Sequence, residues 1–301
     1  MDEMTAVREL RAEAPRARRA DLVAGRERLL AEAGRGGRAR RLRADWRLAA
    51  VGAAAAITVA AVVGTQVVGG GSETQPGSRP GYTVELGSAK DLLNDAADAI
   101  EAGSGVTAHD GQWIYTKTVE TNGTDDERPG PQTRESWTKY ADPAFEDGKE
   151  GDDHSPREQA EFLKSLPDDP QKVRAKARAF YYATDPSETR TEHEYRALTV
   201  LISRAHVYEP EGLAKVYRAL ATIPGVRAAN VQDAAGRDAI ALYRNTDGPL
   251  SDETLLDPAT YLASGYRAVG LKDDTDWKKG DVVISSAYLA TAVVDKRGER
   301  P

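Results

Sequence analysis

From Leu48 to Val68 no position carries a charge: the run reads eight Ala, six Val, two Gly, two Thr and one each of Leu, Ile and Gln. As a helix it would span roughly 31 Å, close to the hydrocarbon thickness of a bilayer. The patterns on either side differ from it and from each other. Before it, apolar residues recur at helical spacing in two short segments. Met4, Val7 and Leu10 share a face over 1–14, and Leu22, Val23, Leu29, Leu30 and Ala33 form a stripe over 21–33 that Gly34, Gly36 and Gly37 end. After it, residues 69–81 (GGGSETQPGSRPG) read as a flexible linker.

From residue 82 onward, helical and alternating patterns succeed one another. Ser88 caps a predicted helix whose Leu92, Leu93, Ala96, Ala99 and Ile100 face inward. Two runs rich in β-branched and aromatic residues follow, Gln112–Val119 and Thr133–Tyr140, joined by a polar loop as an antiparallel pair would be. Helices are predicted at Pro156–Ser165, Pro170–Ala183, Glu188–Ala205 and Pro210–Ile223. Strands are predicted at Val226–Val231, Ala239–Tyr243, Thr254–Leu256, Tyr261–Val269 and Val282–Val294. In the loop at 233–237, Gly236 suits a left-handed turn. The plan is α+β: a helix, a strand pair, a helical middle, then successive hairpins of one antiparallel sheet. The division that follows is a basic segment 1–47, a membrane span 48–68, a linker 69–81 and a domain 82–301.

Charge assigns an orientation to this plan. Residues 1–47 hold 13 Arg against eight acids, whereas residues 48–301 hold 28 Lys and Arg against 40 acids. Arg41, Arg43 and Arg47 crowd the near flank of the apolar run beside Trp46, an interfacial residue type, and the far flank has no base. The positive-inside rule then places the N-terminus in the cytoplasm and the domain outside it. A buried soluble helix rarely runs so far without a charge, and the long leader and long apolar run are unlike a cleaved signal peptide. The acidic domain is not suited to nucleic acid, because it cannot neutralise phosphates. The partners expected are the lipid bilayer and a cytoplasmic protein met by the Leu22, Val23, Leu29, Leu30 stripe; the alternative for residues 1–47 is a partly ordered tail that only fixes topology.

Candidate chemistry changes little. The chain has no cysteine, which rules out thiol nucleophiles, iron–sulfur clusters and Cys-type zinc sites. The four histidines make no HExxH, and there is no GxSxG elbow, phosphate loop or GxGxxG after a strand. Asp152-Asp153-His154 and Asp273-Asp274 with Asp276 read as solvated turns before they read as metal ligands. No cofactor, no metal and no enzymatic activity are expected. Trp113, Tyr115 and Trp137, on neighbouring predicted strands, either line an apolar cleft or fill core beneath a helix.

Several stretches, in order along nearly the whole chain, carry a family resemblance. They include Glu9-Leu10-Arg11-Ala12-Glu13, Leu166-Pro167-Asp168-Asp169-Pro170, Val216 to Val226 (VYRALATIPGV), Asp233-Ala234-Ala235-Gly236-Arg237, Leu256-Asp257-Pro258-Ala259-Thr260 and Val294 to Pro301 (VDKRGERP). In them the chain resembles a family of single-pass actinobacterial membrane proteins, without an established activity, often encoded beside sigma factors of the extracytoplasmic-function class. The resemblance implies envelope signalling, with a sigma factor or a similar protein as the cytoplasmic partner. The chain lacks the His and Cys of zinc-type anti-sigma domains, which separates it from those. The expected function is a non-enzymatic, membrane-anchored envelope sensor or regulator; the alternative is lipid or lipoprotein handling at the outer face of the membrane. A large apolar cavity between sheet and helices would favour the second, and a filled core with a surface groove the first.

Overall fold

A computed structural model describes residues 88–301, except 124–129, 147–152, 184 and 245–246, together with the backbone of Val84–Glu85. The predicted span 48–68, its flanking Arg41, Arg43, Trp46 and Arg47, the linker and the Leu22–Leu30 stripe lie outside the described residues. Among the described residues no helix is long and apolar enough to cross a membrane.

Local chemistry sets the helices. Helix α1 (Ala89–Glu101) starts where the Ser88 hydroxyl accepts from Asp91 N. A one-turn helix, α2 (Pro143–Glu146), precedes α3 (Pro156–Lys164), which opens on a reciprocal capping box between Ser155 and Glu158. Asp169 caps α4 (Pro170–Phe180), and Pro170, which has no N–H to satisfy, fills its first position. A second capping box, Thr189 with Glu192, opens α5 (Arg190–Ser203). The Glu209 carboxylate accepts from Gly212 N at the start of α6 (Pro210–Leu220). Helix α6 lies so close to α3 that a Cβ at Gly212 would sit 2.5 Å from Leu163 O, which only glycine allows.

All eight strands of the described residues pair antiparallel in the order β1-β4-β5-β6-β7-β8-β2-β3. They are β1 (Val84–Glu85), β2 (Trp113–Asn122), β3 (Gln132–Lys139), β4 (Val226–Gln232), β5 (Asp238–Arg244), β6 (Leu250–Leu256), β7 (Ala263–Gly270) and β8 (Val282–Val294). The α+β antiparallel plan expected from the sequence is the one found. The early pair β2–β3 joins the sheet through the last strand, β8. Strand β6 begins four residues before the predicted Thr254, while Tyr261, predicted as strand, adopts φ 57° in the turn before β7.

One face of the sheet carries the helices. There Ala228, Ile240, Leu242 and Leu256 join a core with Leu198, Leu213, Tyr217 and Leu220, each of these helical side chains at most 1% exposed. The opposite face is lined by small and branched residues, among them Ala229, Val231, Ala239, Ala241 and Leu255. It also holds an ion pair, Glu253 with Arg267 at 2.5 Å, on adjacent strands. The sheet curls around this face. Arg237, in the β4–β5 turn, donates to Tyr288 O on β8 at 2.8 Å. Strands β5 and β8 are three steps apart in the order, roughly 14 Å in a flat sheet. Register shifts in the β6–β7, β7–β8 and β2–β8 pairs supply the extra bend.

Candidate functional site

Among the described residues, a cleft of about 700 Å³ lies between α5 and the helix-bearing face of β5–β7. Its helical wall is the flank of α5 beside the buried stripe, with Tyr195, Arg196 and Thr199; its floor includes Asp252, Thr254 and Tyr266. Those three point to the helix side because they alternate with Ser251, Glu253 and Arg267 on the curled side. Charge is paired round the rim. Arg196 Nε meets Glu188 Oε1 at 2.8 Å, and Arg244 Nη1 lies 3.8 Å from Glu192 Oε1. The Tyr195 hydroxyl donates to Leu242 O at 3.2 Å, and the Tyr266 hydroxyl donates to Asp252. Burial pushes both phenols above the usual tyrosine range, with neighbouring carboxylates adding to it. Glu192 is held below the usual carboxylate range, first by the Thr189 hydroxyl and backbone and only then by Arg244. The arrangement sets hydrogen-bond donors, acceptors and paired charges around a lining that also includes the apolar Val200 and Leu250, a surface for a ligand with both polar and apolar parts.

A smaller pocket of about 420 Å³ opens on the same face at β2, β3 and β8, lined by Thr116, Thr118, Ser136, His206 and Tyr288 among others. Burial, followed by the nearby Arg204 charge, lowers the His206 pKa to about 4, so its ring is neutral at pH 7. His154 also borders this pocket, but its ring stacks on Phe180 at 3.7 Å and one nitrogen sits 2.8 Å from Phe180 O, a packing role. Among the described residues no group of three or more His, Cys, Asp or Glu is placed to hold a metal ion. Asp273 and Asp274 accept from Lys279 N and Thr275 N, which organises their own turn.

The aromatic trio predicted from sequence sits elsewhere. Tyr115 and Trp137 are opposed across β2–β3 with ring centroids 5.3 Å apart, and Trp113 lies two residues from Tyr115 on the same, curled face. The segment Asp295–Pro301 lies across them: Arg297 stands over Trp113 at 6.0 Å and Arg300 over Trp137 at 5.5 Å. Arg300 also forks onto Glu135, with Nη2 2.7 Å from Oε2, while the Tyr115 hydroxyl donates to Glu135 Oε1 at 2.8 Å. Arg300 first, then Tyr115, lower the Glu135 pKa to about 2.

Sequence patterning did not reveal the α5 cleft. The available signal was β6 itself, whose Ser251-Asp252-Glu253-Thr254 gives neither face a clean apolar set. No family model, curated protein or solved structure matches the chain.

Proposed function

We propose that residues 82–301 form the extracytoplasmic binding module of a single-pass, membrane-anchored envelope regulator without enzymatic activity, and that the cleft beside α5 receives its ligand or protein partner. The observation that supports this reading is the cleft's chemistry: an open site rimmed by the Arg196–Glu188 and Arg244–Glu192 pairs and floored by Asp252 and Tyr266. A lipid carrier needs an apolar chamber that an acyl chain can enter. Here the core beneath α5 and α6 is filled by Leu198, Leu213, Tyr217 and Leu220, and the opening beside α5 is rimmed by charge pairs rather than enclosed, so lipid or lipoprotein handling is the weaker reading. In this proposal Leu48–Val68 spans the bilayer and the Leu22, Val23, Leu29, Leu30 stripe engages a cytoplasmic protein by laying a helix into a groove. The family resemblance supplies a sigma factor as that partner's class.

The test is site-specific photocrosslinking of the full chain in its native membrane. A photoreactive residue at Tyr266, inside the cleft, is expected to give a discrete adduct that the same residue at Lys90, exposed on α1, does not. An adduct pattern at Tyr266 no different from that at Lys90 would remove the cleft from the proposal.

A further inference from the structure

Beyond the cleft, the curled face of β2–β3 carries a second recognition surface, already occupied by the chain itself. After Val294, which pairs with Trp113, the segment Asp295–Pro301 crosses β2 and then β3. Gln112 Nε2 donates to Asp295 Oδ1 at 2.9 Å, Trp137 Nε1 donates to Glu299 O at 2.6 Å, and Arg300 forks onto Glu135. The strap holds its own shape. Glu299 Oε2 accepts from Asp295 N and Lys296 N at 3.2 and 3.1 Å, and Gly298 turns at φ 92°.

The surface under the strap has the parts that read a guanidinium. A carboxylate accepts its planar fork, an aromatic ring lies beneath its charge, and a tyrosine hydroxyl holds the carboxylate in place. Trp113 repeats the aromatic part for Arg297. The strap is held by side-chain contacts alone. It adds no strand to the sheet, since its bonds to β2 and β3 run through side chains, and it seats no apolar side chain among the aromatics. Ion pairs and cation–π contacts of this exposed kind are individually weak.

We propose that Trp113, Tyr115, Glu135 and Trp137 form an arginine-recognition site, that Asp295–Pro301 is its resident and displaceable occupant, and that an arginine-bearing peptide segment of another protein takes the strap's place. Lysine would serve poorly, having no fork for Glu135.

The experiment uses the full chain in detergent micelles, intact or ending at Val294, and a fluorescein-labelled peptide of sequence Asp-Lys-Arg-Gly-Glu-Arg-Pro followed by fluorescence polarisation. Saturable binding is expected to the chain ending at Val294, at least tenfold tighter than to the intact chain, whose own strap competes. A peptide with Lys in place of the Arg300 equivalent, or a chain ending at Val294 that also carries Glu135→Gln, should bind at least tenfold more weakly. Should removal of the strap unfold the protein, Arg300→Ala in the intact chain loosens it in place and should admit the labelled peptide that the unaltered chain excludes. Equal binding of the Arg and Lys peptides overturns the proposal, as does the absence of saturable binding to both the shortened and the Arg300→Ala chains.

Discussion

The Glu253–Arg267 pair gives the sharpest test of how the curled sheet is held. Glu253 is fully buried and Arg267 2% exposed, with the guanidinium Nε 2.5 Å from the carboxylate. At an effective dielectric constant of about 20, the Coulomb attraction at that distance is about 7 kcal/mol. Taking each ion out of water costs several kcal/mol, so the pair as a whole comes close to break-even. Removing one partner leaves a buried charge without its counter-ion, and that costs about 3–5 kcal/mol. Against a total stability of about 5–15 kcal/mol, this is a large fraction. The variants Arg267→Met and Glu253→Gln are therefore expected to lower the urea midpoint of residues 82–301 by about 1–2 M, taking an m-value near 3 kcal/mol/M. The double variant Glu253→Leu, Arg267→Met should cost less than either single change, because it leaves no lone charge. Single variants that each lose less than about 1 kcal/mol, or a double variant that loses their sum, would show that the pair is not desolvated as the structure has it.

Gly212→Ala forces a Cβ toward Leu163 O between α6 and α3 and should cost about 1–3 kcal/mol, read as a loss in denaturation midpoint with an unchanged slope. With the strap seated, Arg300 first and Tyr115 second hold the Glu135 carboxyl at about 2 against an ordinary 4.5, so the contribution Arg300 makes is fully present above about 4.5 and is lost as pH falls toward 2. Strap docking, followed by tryptophan fluorescence, should be flat between pH 7 and 5 and weaken only below that window's upper edge. A reporter active only outside the cytoplasm, fused after Pro301, should be active; silence from a well-expressed fusion would overturn the orientation drawn from Arg41, Arg43 and Arg47.

What the sequence disclosed was set by range. Ser88, Asp169 with Pro170, and the Gly236 turn act over three or four residues, so cap and turn chemistry located the elements they bound. The stripe Leu213, Val216, Tyr217, Leu220 repeats at helical spacing and is buried throughout. At α1 Leu93, Ala96 and Ile100 of the expected stripe are buried, while Ala99 is exposed and Ala97, two positions earlier, takes its place. Helix α4 stops at Phe180, three residues before the predicted Ala183, as the backbone turns extended at Tyr181. Strand β6 was foreshortened because burying an ion pair removes the alternation by which a strand is recognised. Tyr261 looked like strand by composition, yet it serves the turn, its carbonyl accepting from the Tyr217 hydroxyl. The α5 cleft and the strap depend on which distant strands are neighbours, and nothing in local pattern carries that.

Strand β8 is the seam between the β2–β3 pair and the β4–β7 meander, and its position dictates a schedule for folding. Gln112 and Asp295, bonded across that seam, are 183 positions apart in sequence. Contacts of such high order form late, after a large loop-closure entropy has been met. During synthesis the hairpin that holds Trp113 and Trp137 emerges early and waits, one edge open, until Val282–Val294 arrives to fill it. An open edge of this kind recruits other strands, so the chain is exposed to aggregation during that interval. A chain interrupted before Val282 would yield two unjoined pieces of sheet rather than a shorter version of the same domain.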